Sequence, residues 1–168
     1  MIDEGPRPAV RAPVAIREFT ADDMDRVMDI MAAAFEPTYG EAWTRSQCAG
    51  ILPMSGVSLR LAERGGADGG GGIAGFALIR AIADEAELLL IAVDPAAQHQ
   101  GIGGALVEDF VRLATSRGAR RLHLEVRDGN SASVLYERAG FTLVGRRRDY
   151  YSGLDGAKRD AMTLALQV

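Results

Sequence analysis

Cysteine is nearly absent: Cys48 stands alone among 168 residues. No intrachain disulfide can form, which fits a reducing compartment, and a cytoplasmic location is expected. Histidine is as scarce, with only His99 and His123. Two separated histidines and one cysteine supply no ligand cluster, so no metal is expected. Positive charge is not in excess. The net charge is −4, which argues against general nucleic-acid binding, because that draws its affinity from Lys and Arg on phosphates. No apolar run reaches the ~18 residues of a membrane helix, so no membrane partner is expected. The opening MIDEGPRPAVRAP is acidic and proline-bearing, without an apolar stretch. Neither a secretory signal nor a transit peptide is expected from it, and residues 1–13 read as a loose, flexible tail. The remainder, 14–168, has the length of one domain, and 48% of the chain is hydrophobic, enough for a core.

What is there has a clear order. VAIREF (14–19) alternates and reads as a strand. Thr20, with Asp23 three positions on, resembles a cap for a helix over 21–34. Met24, Val27, Met28 and Met31 form its expected buried stripe. Thr44 caps a second expected helix that ends at Ile51. VSLRLAE (57–63) and GIAGFALIRAI (72–82) read as strands. GGADGGGG (65–72) joins them as a flexible connection, since no helix follows it as a phosphate loop requires. AELLLIAV (86–93) is an unbroken apolar run, suited to a strand buried on both faces. Gly103–Arg117 has helical spacing through Leu106, Phe110 and Leu113, and Gly118 ends it. RLHLEV (121–126) alternates, Ala132–Ala139 is a short helix stopped by Gly140, and FTLVGRRRDYY (141–151) and DAMTLAL (160–166) complete the strands. Strands and helices that alternate in this way imply an α/β domain with a mixed sheet.

The most informative stretch is LLLIAVDPAAQHQGIGGALVEDF (88–110). A buried strand ends at Val93, Asp94-Pro95 turn the chain, and a helix opens at the glycines. Glycines at 101, 103 and 104 let backbone N–H groups face one point. A helix N-terminus adds free donors and about half a positive charge, so the turn suits a pyrophosphate. A dinucleotide fingerprint would need a third glycine where Leu106 stands, and a nucleotide P-loop would need Gly-Lys-Ser/Thr, which is absent. A tightly packed helix start without a ligand is the remaining alternative.

The turn fits the pattern Q/R-x-x-G-x-G/A through Gln98, Gly101 and Gly103. Here the chain resembles the GNAT superfamily of acetyltransferases. DEAELLLIAVDP, HLEVR, LYERAGF and RRDYYSGLDG…DAM are similar to its RimI-type members, the ribosomal-protein-alanine N-acetyltransferases. The resemblance covers 84–166 well and the first half weakly, where Ala42-Trp43-Thr44 stands for the family's Pro-Trp-Ser. It implies a GNAT fold: a mixed, mostly antiparallel sheet of six to seven strands with about four helices. It also implies acetyl-coenzyme A as cosubstrate, held by Gln98, His99, Gln100, Gly101, Ile102, Gly103, Gly104 and Ala105. The backbone of Ile91, Ala92 and Val93 would pair with the pantetheine arm and polarise the thioester carbonyl. Glu125 matches the family's general base, Tyr136 its general acid and Asn130 a coenzyme ligand.

The match departs at one place. The family separates this Asn and Tyr by seven positions, whereas Asn130 and Tyr136 are six apart. One deletion within a helix would swing Asn130 by about 100°, so the loss is expected in the preceding loop. The resemblance implies transfer to the N-terminal amine of a protein, a ribosomal protein being the implied partner. A small-molecule amine or a lysine remains an alternative acceptor, and a non-catalytic acyl-coenzyme A module is a third reading. Chemistry leans to an α-amine: with a pKa near 8, roughly a tenth is neutral at pH 7, against about 0.04% of lysine. Monomer and homodimer fit equally.

Overall fold

The computed structural model describes residues 13–65 and 71–168. Residues 1–12 of the expected tail and 66–70 of the glycine connection lie outside these. Seven strands form one sheet: β1 (Val14–Glu18), β2 (Val57–Arg64), β3 (Gly72–Ile82), β4 (Glu85–Val93), β5 (Arg121–Arg127), β6 (Thr142–Ser152) and β7 (Lys158–Gln167). Their order is β1-β2-β3-β4-β5-β7-β6. Only β4 and β5 run parallel, because the segment between them carries a crossover helix. The helices are α1 (Met24–Ala34), α2 (Arg45–Ile51), α3 (Ile102–Ser116) and α4 (Ser133–Arg138). No helix of the described residues is long and apolar enough to cross a membrane.

Helix starts follow from their caps. The Thr44 hydroxyl accepts from the Gln47 amide at 3.2 Å, and the Gln47 side chain accepts from the Thr44 amide at 2.7 Å. That reciprocal pair satisfies two donors that α2 cannot use itself. At α1 the Asp23 carboxylate accepts from the Thr20 amide at 2.7 Å and from Arg17 at 2.8 Å. The chain makes a tight turn over Ala21–Asp23 before the α-helix begins at Met24, three residues later than expected.

Each face of the sheet has its own core. Val27, Ile30 and Met31 of α1 pack with Cys48 of α2 against Leu59, Leu61, Phe76 and Leu78. On the opposite face Leu106, Val107 and Phe110 of α3 pack with Leu122, Leu124 and Phe141. Fully burying such a side chain contributes about 1.5–3 kcal/mol. Cys48 is buried, and burial pushes its thiol pKa up, as expected for a small core residue. One contact was not legible in the hydrophobic pattern. Arg60 of β2 and Asp109 of α3 are both buried, with Arg60 Nε 2.7 Å from Asp109 Oδ2.

Candidate active site

The ladder between β4 and β5 runs from the Glu85–Arg121 pair to Leu88–Leu124 and stops. β4 continues to Val93 and β5 to Arg127 without pairing each other. The register of β4 on β3 gives the cause. Leu90 faces Leu78 and Leu88 faces Ile79, which leaves Leu89 as an extra residue. A bulge of this kind bends its strand and increases the local twist. It also resets the alternation: Ala86 and Leu88 join the α3 core, while Leu90 and Ala92 join the α1 core. The expectation of a strand buried on both faces therefore needs correcting. Leu89, Ile91 and Val93 stay partly open because they wall the gap that the bulge creates.

On the α3 side the gap widens into a cavity of about 760 Å³. Ile91, Ala92 and Val93 line one wall. Gln98, His99, Gly101, Ile102, Gly103 and Gly104 line another, and Asn130 stands at the side. Gln100 and Ala105 are not in the lining. The turn owes its shape to two left-handed residues, His99 at φ 60° and Gly101 at φ 86°. Gly101 is the residue that caps α3, which begins at Ile102, one position earlier than expected. The Ala105 amide donates to Gly101 O at 3.0 Å and closes the first helical turn. Among the described residues, the amides from His99 to Gly104 have no acceptor within the chain. Unpaired donors at a helix N-terminus are a ready anion site.

Neighbouring contacts fix the turn. Asp94 Oδ1 accepts from the Ala96 amide at 3.0 Å, and Arg26 Nη2 of α1 lies 2.5 Å from Asp94 Oδ2. The Ala96 amide, then Arg26, hold the Asp94 carboxyl below its ordinary range. Gly103 permits a close approach: a Cβ there would stand 3.1 Å from Leu135 Cδ2 of α4. The missing residue of the Asn–Tyr spacing is absorbed before α4. Asn130 Oδ1 accepts from the Ala132 amide at 2.9 Å, and the Asn130 amide donates to Arg127 O at 3.0 Å. Asn130 therefore sits in the turn, and Tyr136 keeps its helical position.

A second cavity, of about 220 Å³, opens on the far side of the gap. Glu125 and Tyr136 both line it, together with Glu41, Trp43, Tyr150 and Tyr151. Phe35 and Ile91 line both cavities and mark where they meet. Glu125 arrives from β5 on the α1 side, sharing its face with His123 and Arg127. Tyr136 arrives from α4 on the other. Glu125 Oε1 is 3.0 Å from Arg147 Nε. Tyr136 is 5% exposed, and its hydroxyl has no hydrogen-bond partner among the described residues. Burial, then the proximity of Tyr151 and Glu41, pushes its phenol far above the ordinary value. Burial, followed by Glu41 and Glu125, pushes Tyr151 up to about 12.

Sequence reasoning gave Glu41 no role, yet burial raises its pKa and Arg127 Nε sits 3.2 Å from its carboxylate. Arg127 in turn lies over the Tyr39 ring, 3.6 Å from its centre. The only available signal was that Glu41 lies two positions before Trp43, which walls the same cavity. Among the described residues no three His, Cys, Asp or Glu side chains gather as a metal site.

Comparison with known proteins bears on this arrangement. The family model described as "Acetyltransferase (GNAT) family" matches residues 24–141. The chain belongs to the GNAT acetyltransferase family. Its seven-stranded sheet with four helices is the GNAT fold. The ribosomal protein bS18-alanine N-acetyltransferase of Escherichia coli is 44% identical over 99 residues, 58% of this chain and 66% of that protein. The match thus spans just under two thirds of that relative's length. A Bacillus subtilis relative that carries this name provisionally is 30% identical over 145 residues, 85% of this chain and 90% of that one. The crystal structure of the E. coli ribosomal-protein-S18-alanine N-acetyltransferase superposes on this GNAT chain with a TM-score of 0.79 at 32% identity. It covers 93% of this chain and 94% of that chain.

Proposed function

We propose that this GNAT chain is an N-acetyltransferase that transfers acetyl from acetyl-coenzyme A to the N-terminal amine of a protein. The observation that carries this reading is the splay of β4 from β5, with unpaired amides on one side and Glu125 with Tyr136 on the other. The names of the relatives favour an N-terminal alanine, and a ribosomal protein bS18 homologue is the first acceptor to test. The residues fit the coenzyme on two counts. Six consecutive amides, His99 to Gly104, have no acceptor among the described residues and can meet a diphosphate. The open side of β4 from Leu89 to Val93 can pair with an extended amide-bearing arm as a strand would.

Acetyl-coenzyme A supplies the activated acetyl group. Gly101 to Gly104 would bind its diphosphate, and Asn130 stands beside them. A backbone N–H of Ile91–Val93 would donate to the oxygen on which negative charge grows. Glu125 takes a proton from the acceptor's ammonium, directly or through one water. Tyr136 would give the proton on its Oη to the sulfur as it leaves, and the second proton lost by the attacking nitrogen would restore the phenol. A phenol is about 1.5 pKa units weaker than a thiol, roughly 2 kcal/mol uphill in water. Burial disfavours a thiolate as it does a phenolate, which offsets part of that difference.

The test is mass spectrometry after incubation with acetyl-coenzyme A. Peptides that begin with alanine should gain one acetyl group at the terminus. A product acetylated on internal lysine, or only on small amines such as polyamines, would replace this acceptor assignment.

A further inference from the structure

A run of three arginines on a strand, Arg146–Arg148, is most often a solvated face, but the structure gives Arg146 and Arg147 separate partners. Arg146 Nη1 reaches Asp128 Oδ2 and Asp160 Oδ2, each at 2.8 Å. Arg147 Nε stands 3.0 Å from Glu125 Oε1. This second pair is lopsided, with the Glu125 side chain 18% exposed and that of Arg147 61%. The carboxylate is fixed on the inner strand β5 as part of the cavity wall. The guanidinium enters from the edge strand β6 and can leave toward solvent. The half-exposed Tyr150 ring lies 5.5 Å from its central carbon, which offers a cation–π partner on the outside. The other cations near Glu125 are committed. On β5, Arg127 pairs with Glu41 at 3.2 Å, and His123 stands 3.9 Å from Glu87 of β4.

We infer that Arg147 holds, in the free protein, the place on Glu125 that the acceptor's ammonium takes, so that amine binding and uncovering of the base are one exchange. The inference rests on the reading of Glu125 as the base. The guanidinium, 3.0 Å from Oε1, stands where an ammonium would approach that oxygen, so the two cations compete for the same place. An ammonium brings the same charge and three donors, so the partly buried carboxylate is never left unpaired. An acetylated terminus carries no charge and cannot displace Arg147, which also favours product release. Arg147 is thus a positioning residue that acts through Glu125.

The Arg147 side-chain Nε–H resonance, assigned by its loss in Arg147→Met, reports the pair directly. It should move in Glu125→Gln without any ligand. It should also move when an alanine-initiated peptide is added, and stay still with the N-acetylated peptide. Kinetically, Arg147→Met should lower KM for the acceptor about two- to fivefold, the scale of a partly exposed ion pair. Arg147→Lys, which keeps the charge, should restore the wild-type KM. A resonance indifferent to Glu125→Gln would overturn the exchange, as would a KM that rises or is unchanged in Arg147→Met. If the wild type fails to acetylate any terminal amine, the proposed reaction fails by itself. The Glu125→Gln spectrum would still decide whether the pair exists.

Discussion

Gly101→Ala separates a turn shaped for a ligand from a turn that merely starts a helix. Gly101 has φ 86°, and a residue with a Cβ in that region costs about 1–2 kcal/mol. If the turn holds its shape, that cost appears as lost stability, about 2–8 °C in Tm for a chain of this size. If the turn relaxes to negative φ, the amides that follow it swing off the cavity. Each hydrogen bond to a charged acceptor is worth about 1.5–3 kcal/mol. Losing two would weaken coenzyme A binding by roughly 3–6 kcal/mol, about 10²–10⁴ in Kd. Gly118 is the matching control. It has φ 89° at the far end of α3, and a Cβ there would meet nothing within 4 Å. Gly118→Ala should lose the same stability and keep coenzyme affinity. Calorimetry with coenzyme A, paired with thermal melts, measures both. The reasoning is refuted if Gly101→Ala matches the wild type in both, or if Gly118→Ala loses affinity as much as Gly101→Ala.

Four further outcomes follow from the geometry. Glu125→Gln should lower turnover by roughly 10²–10⁴ with coenzyme A affinity intact, read from kcat and calorimetry. Tyr136→Phe should slow turnover by roughly 10²-fold. Because burial raises the Tyr136 pKa, its proton is kept, and wild-type kcat should show no tyrosine-dependent fall up to a pH of about 10. Asp23 is held well below the ordinary carboxylate range, first by Arg17. A depressed folded pKa stabilises above the unfolded value near 3.9. The advantage of wild type over Asp23→Asn, roughly 1 kcal/mol for a pair this exposed, should therefore hold at neutral pH. It should shrink as pH falls below about 4, read from chemical denaturation at several pH values.

Every strand and helix was legible in the sequence, because each carries its own signal. Alternation marks RLHLEV, Thr44 with Gln47 marks α2, and the glycines mark the start of α3. The gap between β4 and β5 was not legible from the residues. LLLIAV reads as a uniform apolar run, and the extra residue Leu89 exists only relative to the register of β3. Gly101 and Gly103 could be singled out because their backbone demands are local. Glu41, Arg127 and Arg147 could not, since their pairings join segments far apart in the chain. The same holds for Asp109: it looks like a surface residue beside Phe110 until Arg60 is placed against it from β2.

The most direct measurement is an amide NMR titration of the labelled protein with coenzyme A. Resonances of Gly101, Ile102, Gly103 and Gly104 should shift and saturate together with those of Ile91–Val93. If binding saturates while these amides stay still and others respond, the turn at the start of α3 is not the diphosphate site.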